Sequence, residues 1–293
     1  MAAHSIIRAL PAGQSRRRPN LEADQGRRRQ RVCNTRGVII HMRRTFVKID
    51  NVNRFLAAFT ALENRGAQEC CLMVIDGLPG LAKTSVTEWW AAENDAVFVR
   101  AKSGWTGNWM LSDLLTALNV VPRHSFEAKF EQLLVALGQR QQEAMLAGRS
   151  FAVVIDEIDH ICRREKMLEP LRDLTDHLQT VPMIWVGMGK VRTNLTLFPQ
   201  IASRVAQYVQ FTPASMADTR ALVEGLCEVP VADDLIEYLH RVSKGRIREI
   251  KEGIMAIERV GKLARGKTVD RAMMVGKVLL NSRDTGEPIK VEA

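Results

Sequence analysis

No stretch of the 293 residues approaches the ~18 to 20 consecutive apolar positions of a bilayer-spanning helix, so the chain reads as soluble, with no membrane partner. Its five cysteines (Cys33, Cys70, Cys71, Cys162 and Cys227) show neither CxxC nor zinc-ligand spacing. They read as free thiols in a reducing cytosol, which argues against a disulfide framework or a zinc site. There is no internal repeat, which excludes a solenoid. Net charge is also missing where it would matter most. The formal charge is +9, from 42 Lys+Arg and 33 Asp+Glu. Residues 1–44 hold eleven arginines, no lysine and two acids, so 11 − 2 = +9 resides there, and the other 249 residues balance at 31 against 31.

What remains is ordinary globular composition, 46% hydrophobic and 26% charged. The arginine clusters 16–18 and 27–29 lack apolar periodicity, so 1–44 is expected to be a disordered tail. Three readings of it stay open: an arm on DNA phosphates, a targeting segment, or a start codon assigned too early, since Met42 precedes the first structured stretch.

From Phe46 onward short apolar runs alternate with helical periodicity. Cys71–Asp76, Ala96–Val99, Phe151–Ile155, Pro182–Val186 and Tyr208–Phe211 read as strands. Helices are expected over Val52–Asn64, Ser85–Asn94, Trp109–Leu118, Phe126–Leu146 and Met167–Leu178. Strands separated by helices predict an α/β fold, a parallel sheet covered on both faces. After Pro213 the strands are expected to stop. Met216–Cys227, Ala232–Val242 and Ile247–Val260 read as helices, with a further one over Val269–Leu280. The expected domains are a core at 45–212, a small helical lid at 213–283 and a polar, frayed end at 284–293.

Gly77-Leu78-Pro79-Gly80-Leu81-Ala82-Lys83-Thr84 follows an apolar strand and opens a helix at Ser85. That context makes it a P-loop. The glycines let several backbone N–H groups face one anion, and the helix N-terminus adds partial positive charge. Lys83 is placed to reach the β- and γ-phosphates of ATP, and the Thr84 hydroxyl to ligate Mg²⁺. Ala82 stands where a glycine is usual. Phe151–Asp159 is a buried strand ending in acids, the Walker B form: Asp156 for Mg²⁺, Glu157 for the water that attacks the γ-phosphorus. Asp159 and His160 read as local structural residues.

The combination predicts a P-loop NTPase of the AAA+ type, an ATPase whose sites complete at subunit interfaces. Arg204, in Ala202–Val205, is the candidate arginine finger; a surface or intrachain-paired arginine is the plainer reading. Arg248 resembles the sensor-2 arginine that reaches the γ-phosphate, with Arg246 as the alternative. The strand Pro182–Val186 ends in Gly187-Met188-Gly189, where a polar sensor-1 side chain is expected. Asn194 or Thr193 substitutes for it, or the sensor is absent.

The run from about Phe46 to Gly261 resembles the transposition protein B family of Mu-like phages and related transposon target-selection ATPases. The features that carry it are Met73–Thr84, Phe98–Thr106, the Walker B strand, Trp185–Met188 and Ser203–Phe211. The resemblance implies ATP-dependent, largely sequence-independent binding to double-stranded DNA as a homo-oligomer or filament. It also implies a partner transposase, and a bacterial or phage-host cytoplasm, in association with the nucleoid. Lys102, Arg163, Arg164, Lys166, Lys190 and Arg192 lie in loops after strands as possible phosphate contacts. Trp89 and Trp90 are expected in the core, and Trp105 half-exposed near the nucleotide or DNA. Alternatives are a helicase loader or replication initiator, a protein-remodelling ATPase with Trp105 as its pore residue, and a non-catalytic ATP-bound scaffold.

Overall fold

A computed structural model describes residues 42–43, 45–264, 267–283 and 285–293. The arginine-rich segment 1–41, with residue 44, lies outside the described residues. In chain order the first elements are α1 (Asp50–Glu63), β1 (Leu72–Asp76), α2 (Lys83–Asn94), β2 (Val97–Arg100), α3 (Gly107–Ala117) and α4 (Phe126–Leu146). Next come β3 (Val153–Asp156), α5 (Glu165–His177), β4 (Met183–Val186), α6 (Val191–Leu195), α7 (Pro199–Ala202) and β5 (Val205–Gln210). The C-terminal part holds α8 (Met216–Leu226), α9 (Asp233–Ser243), α10 (Ile247–Leu263), α11 (Arg271–Met274), β6 (Val278–Asn281) and β7 (Pro288–Lys290).

The five strands form one parallel sheet in the order β2-β3-β4-β1-β5, an α/β fold with helices on both faces. Double coverage explains why β1, β3 and β4 read as unbroken apolar runs. Alternate side chains feed two cores. Met73, Ile75, Val154 and Ile184 face a core shared with α1, α2 and the C-terminal helices. Leu72, Val74, Ile155 and Trp185 face one built by α3, α4 and α5. Helices α4 and α8 start on short polar caps. Ser125 accepts from the Ala128 N–H, and Ser215 forms a capping box with Asp218. Asp218 also accepts from the Asp50 N–H at 2.9 Å and so ties α8 to the start of α1.

The C-terminal end departs from the expected pattern. Val269–Leu280 does not form one helix, and the strands do not stop at Pro213. Helix α11 lasts four residues, Gly276 turns at φ +76°, and β6 pairs antiparallel with β7. Two glycines at positive φ, Gly276 and Gly286 just before Pro288, outweigh the helical spacing of the apolar residues. The end expected to fray instead holds β7, with Val291 buried.

Candidate nucleotide-binding site

All five strands point their C-terminal ends to one edge of the sheet, and the two motifs meet there. The chain leaves β1 at Asp76 and turns sharply through Gly77. A Cβ on Gly77 would lie 2.8 Å from the Phe211 carbonyl oxygen, so no larger residue fits. Gly80 turns at φ +85° and Ala82 at +64°, and α2 begins at Lys83. A cavity of about 280 Å³ opens over this loop. Pro79–Ser85 line one side, Asp156, Glu157 and Met188 another, and Arg248 and Lys251 of α10 the third. Gly77 and Leu78 begin the same turn, and Leu78 is exposed.

Lys83 is buried, and its ammonium donates to the carbonyls of Gly77 (2.6 Å) and Leu78 (2.8 Å). Burial lowers its pKa, while the carboxylates of Asp76, Asp156 and Asp159 act in the opposite direction. The Thr84 hydroxyl donates to Asp156 Oδ2 at 2.8 Å across the gap between the motifs. Two hard oxygen donors on one side of an anion-binding loop suit Mg²⁺, which takes few protein ligands and completes its shell with water and phosphate. Among the described residues no cluster of three or more His, Cys, Asp or Glu side chains offers an alternative metal site.

Glu157 leaves β3 at φ +55°, an uncommon conformation for a residue with a side chain. Its carboxylate lies 3.6 Å from Arg100 Nε and 3.4 Å from His160 Nε2. Arg100, at the tip of β2, also stands 3.6 Å from Asp156 Oδ2. His160 follows three residues after Glu157, but Arg100 comes from the adjacent strand, which motif reading alone does not reveal. Asp76 was missed as well. It is buried and accepts from the backbone N–H groups of Gly77 (2.9 Å), Gly189 and Val191 (3.0 Å), clasping the P-loop to the turn after β4. Asp159 holds the same turn through the Met188 N–H at 2.7 Å, and its own burial raises its pKa. An acid at the tip of an apolar strand, just before a glycine, was the signal for Asp76.

Other expected residues lie elsewhere. Arg204 is absent from the cavity. It precedes β5 at the opposite end of the sheet and pairs with Asp176 (2.9 and 3.2 Å), which raises its pKa. Neither candidate sensor-1 residue lines the cavity. Asn194 is buried between Cys162 and Arg163, Thr193 is exposed, and Gly187 and Met188 stand at that edge. Trp105 is only 1% exposed, with its indole N–H donating to Asp113 at 2.7 Å; Trp109 is the exposed one, at 45%. Trp90 is buried, and Trp89 is half-buried. Of the basic residues expected in loops, Lys166 lies instead in α5 and Arg192 in α6; Lys102 pairs with Asp113, Arg164 donates to the Trp105 carbonyl and Arg192 lies over the Tyr208 ring, while Lys166 and Lys190 are exposed.

Beside the main cavity is a smaller, mostly apolar recess of about 60 Å³. Thr45, Phe46, Val47 and Ile49 cover it, and Ala82, Val86, Leu226 and Lys251 line its other sides. Phe46 stacks on Trp89 at 4.0 Å between centroids. The Arg43 N–H donates to the Leu226 carbonyl, so this strap joins α2 to α8.

Residues 65–195, under half of the chain, match the family model described as AAA domain. No curated protein matches the sequence. Among solved structures, the ORC1 protein of Aeropyrum pernix in complex with DNA is 17% identical, covering 76% of this chain and 62% of that one, at a TM-score of 0.52. The ORC2 protein of the same organism, solved as ADPNP-ADP complexes, is 12% identical, with 75% and 65% covered and a TM-score of 0.55. The Thermotoga maritima RuvB Holliday junction branch migration motor is 16% identical, with 78% and 67% covered and a TM-score of 0.50. The chain thus spans a little under two thirds of the two archaeal structures. At these identities the likeness establishes the fold, that of an AAA+ P-loop NTPase.

Proposed function

We propose that this AAA+ P-loop protein is an ATPase that binds and hydrolyses ATP with Mg²⁺ and uses the cycle to switch its hold on double-stranded DNA. The observation that carries the reading is the meeting of Thr84 with Asp156 at 2.8 Å beneath Arg248. P-loop, strand-tip acid and a cation from the C-terminal helices thereby face one cavity. We read 45–212 as the ATPase core and 213–283 as its lid.

In this reading the N–H groups of the loop and α2 cradle the phosphates. Lys83 leaves the two carbonyls it now satisfies and moves to the β- and γ-oxygens. Arg248 and Lys251 offset charge from the lid side. Glu157 takes the proton of the attacking water once Arg100 and His160 release it. Mg²⁺, held by Thr84 and Asp156, would offset the charge developing on the phosphate oxygens. The recess under Phe46 is the apolar place for the base. Arg204 serves a neighbouring copy only in an assembly where Asp176 yields it.

The finer reading is a switch in DNA transposition, loading as a homo-oligomer on target DNA and activating a transposase in the cytoplasm. It rests on the sequence resemblance. Among the described residues no helix is long and apolar enough to cross a membrane. A replication initiator or loader is the second reading, favoured by the likeness to the ORC1 fold. The buried Trp105 counts against a threading pore, and Glu157 counts against a non-catalytic scaffold.

Two variants test the core claim. Lys83→Ala is expected to lose ATP binding. Glu157→Gln is expected to bind ATP, lose at least about a hundredfold in turnover, as removal of a proton acceptor does, and persist on DNA. Wild-type ATP affinity in Lys83→Ala, measured by equilibrium titration, would remove the P-loop claim.

A further inference from the structure

Helix α10 presents two differently charged sides. Arg248 and Lys251 face the nucleotide cavity. Glu249 is turned beneath the P-loop instead and is 5% exposed. A Cβ placed on Gly80 would sit 3.4 Å from Glu249 Oε2, and the Arg248 N–H donates to the Gly80 carbonyl at 3.2 Å. Oε2 is buried and accepts no hydrogen bond among the described residues. A buried carboxylate against a loop built to gather phosphates is electrostatically adverse, unless another charge offsets it.

The offsetting charge comes from the C-terminal hairpin. Arg283, after β6, has its Nε 3.5 Å from Glu249 Oε1 and also pairs with Glu252, one turn along α10. The hairpin is well anchored. Leu279 and Leu280 are buried in the α10 core, the Tyr238 hydroxyl donates to the Lys290 carbonyl, and Arg271 donates to the carbonyls of Glu292 and Ala293.

We infer that this hairpin is a working part of the nucleotide site: Arg283 is a positioning residue that neutralises Glu249 under Gly80 and holds α10 so that Arg248 and Lys251 face the triphosphate. This deepens the ATPase reading and rests on it. Removing Arg283 leaves a buried negative charge beside the P-loop and frees α10 to shift. Removing Glu249 as well removes the need for neutralisation.

The test uses the full chain, with Kd for a fluorescent ATP analogue, kcat and KM for ATP, and thermal melting. Arg283→Gln is expected to raise Kd and KM about tenfold, inside the range of ordinary site-to-site coupling, with kcat at saturation within about twofold. Arg283→Lys should recover part of the loss. The double variant Arg283→Gln/Glu249→Gln should return Kd to near the wild-type value, which a merely structural role would not produce. Unchanged nucleotide affinity in Arg283→Gln, or a double variant that binds no better than the single one, would overturn the inference. Failure of the wild-type chain to bind the analogue would overturn the ATPase reading and this inference together.

Discussion

Ala82 holds φ +64° at the entrance to α2, where a Cβ costs roughly 1–2 kcal/mol. Its methyl also reaches the recess under Phe46, so the strain is partly offset by packing. Ala82→Gly is therefore expected to raise Tm by roughly 2–4 °C, the shift of about 1 kcal/mol in a domain of this size, and to keep ATP affinity at least equal. A lower Tm in a calorimetric or fluorescence melt would show that the methyl contact outweighs the strain. Single residues were legible in the sequence when their chemistry was local. Lys83, Thr84, Asp156 and Glu157 sit in contiguous motifs, and all four line the cavity. For Arg204 the sequence left a finger for a neighbouring copy and an intrachain pair both open, and the partner in that pair, Asp176, lies 28 positions earlier and is brought to it only by folding. Trp105 was misplaced for the same kind of reason: Asp113 satisfies its indole and allows full burial.

The strap over the recess is the element whose role is easiest to isolate. Phe46 is half-buried, and its stack on Trp89 is the contact that closes the strap on α2. Phe46→Ala is expected to cost about 2 kcal/mol, less than the roughly 3–5 kcal/mol of a fully buried Phe. It should also weaken ATP binding several-fold while leaving kcat at saturating ATP nearly unchanged. A fall in kcat with unaltered KM would place the strap outside base binding. The strands and longer helices were readable because burial on both faces and helical periodicity leave strong patterns. The stretch from Val269 to the C-terminal hairpin was not. There the helical spacing of apolar residues competes with Gly276 and Gly286, both at positive φ, and the outcome rests on pairing between β6 and β7. Likewise Arg100 and Asp76 enter the site only because the strand order sets β2 beside β3 and β1 beside β4.

At the scale of the whole molecule, the cavity and Arg204 lie at opposite ends of the sheet, so a chain cannot serve its own site with that residue. If copies assemble head to tail, a mixture of two inactive variants should work. Lys83→Ala would supply Arg204, and Arg204→Ala would supply an intact P-loop. The mixture is expected to hydrolyse ATP at a rate neither variant reaches alone. Two variants that stay inactive when mixed, with Arg204→Ala melting at a lower temperature, would assign Arg204 to the Asp176 pair alone. The charge distribution bears on the partner as well. Because the residues after 44 balance at zero, binding to DNA by this part of the chain needs a local basic face rather than net charge.

Nucleotide state is proposed to govern the hold on DNA, and fluorescence anisotropy of the full chain with a mixed-sequence duplex measures this. Titrations would be run with ATP, with ADP and without nucleotide, each over a series of salt concentrations. Binding is expected to be tight and salt-sensitive with ATP, weaker with ADP and without nucleotide, and persistent in ATP for Glu157→Gln. Equal affinity in all three states, or no binding in any, would contradict the proposal.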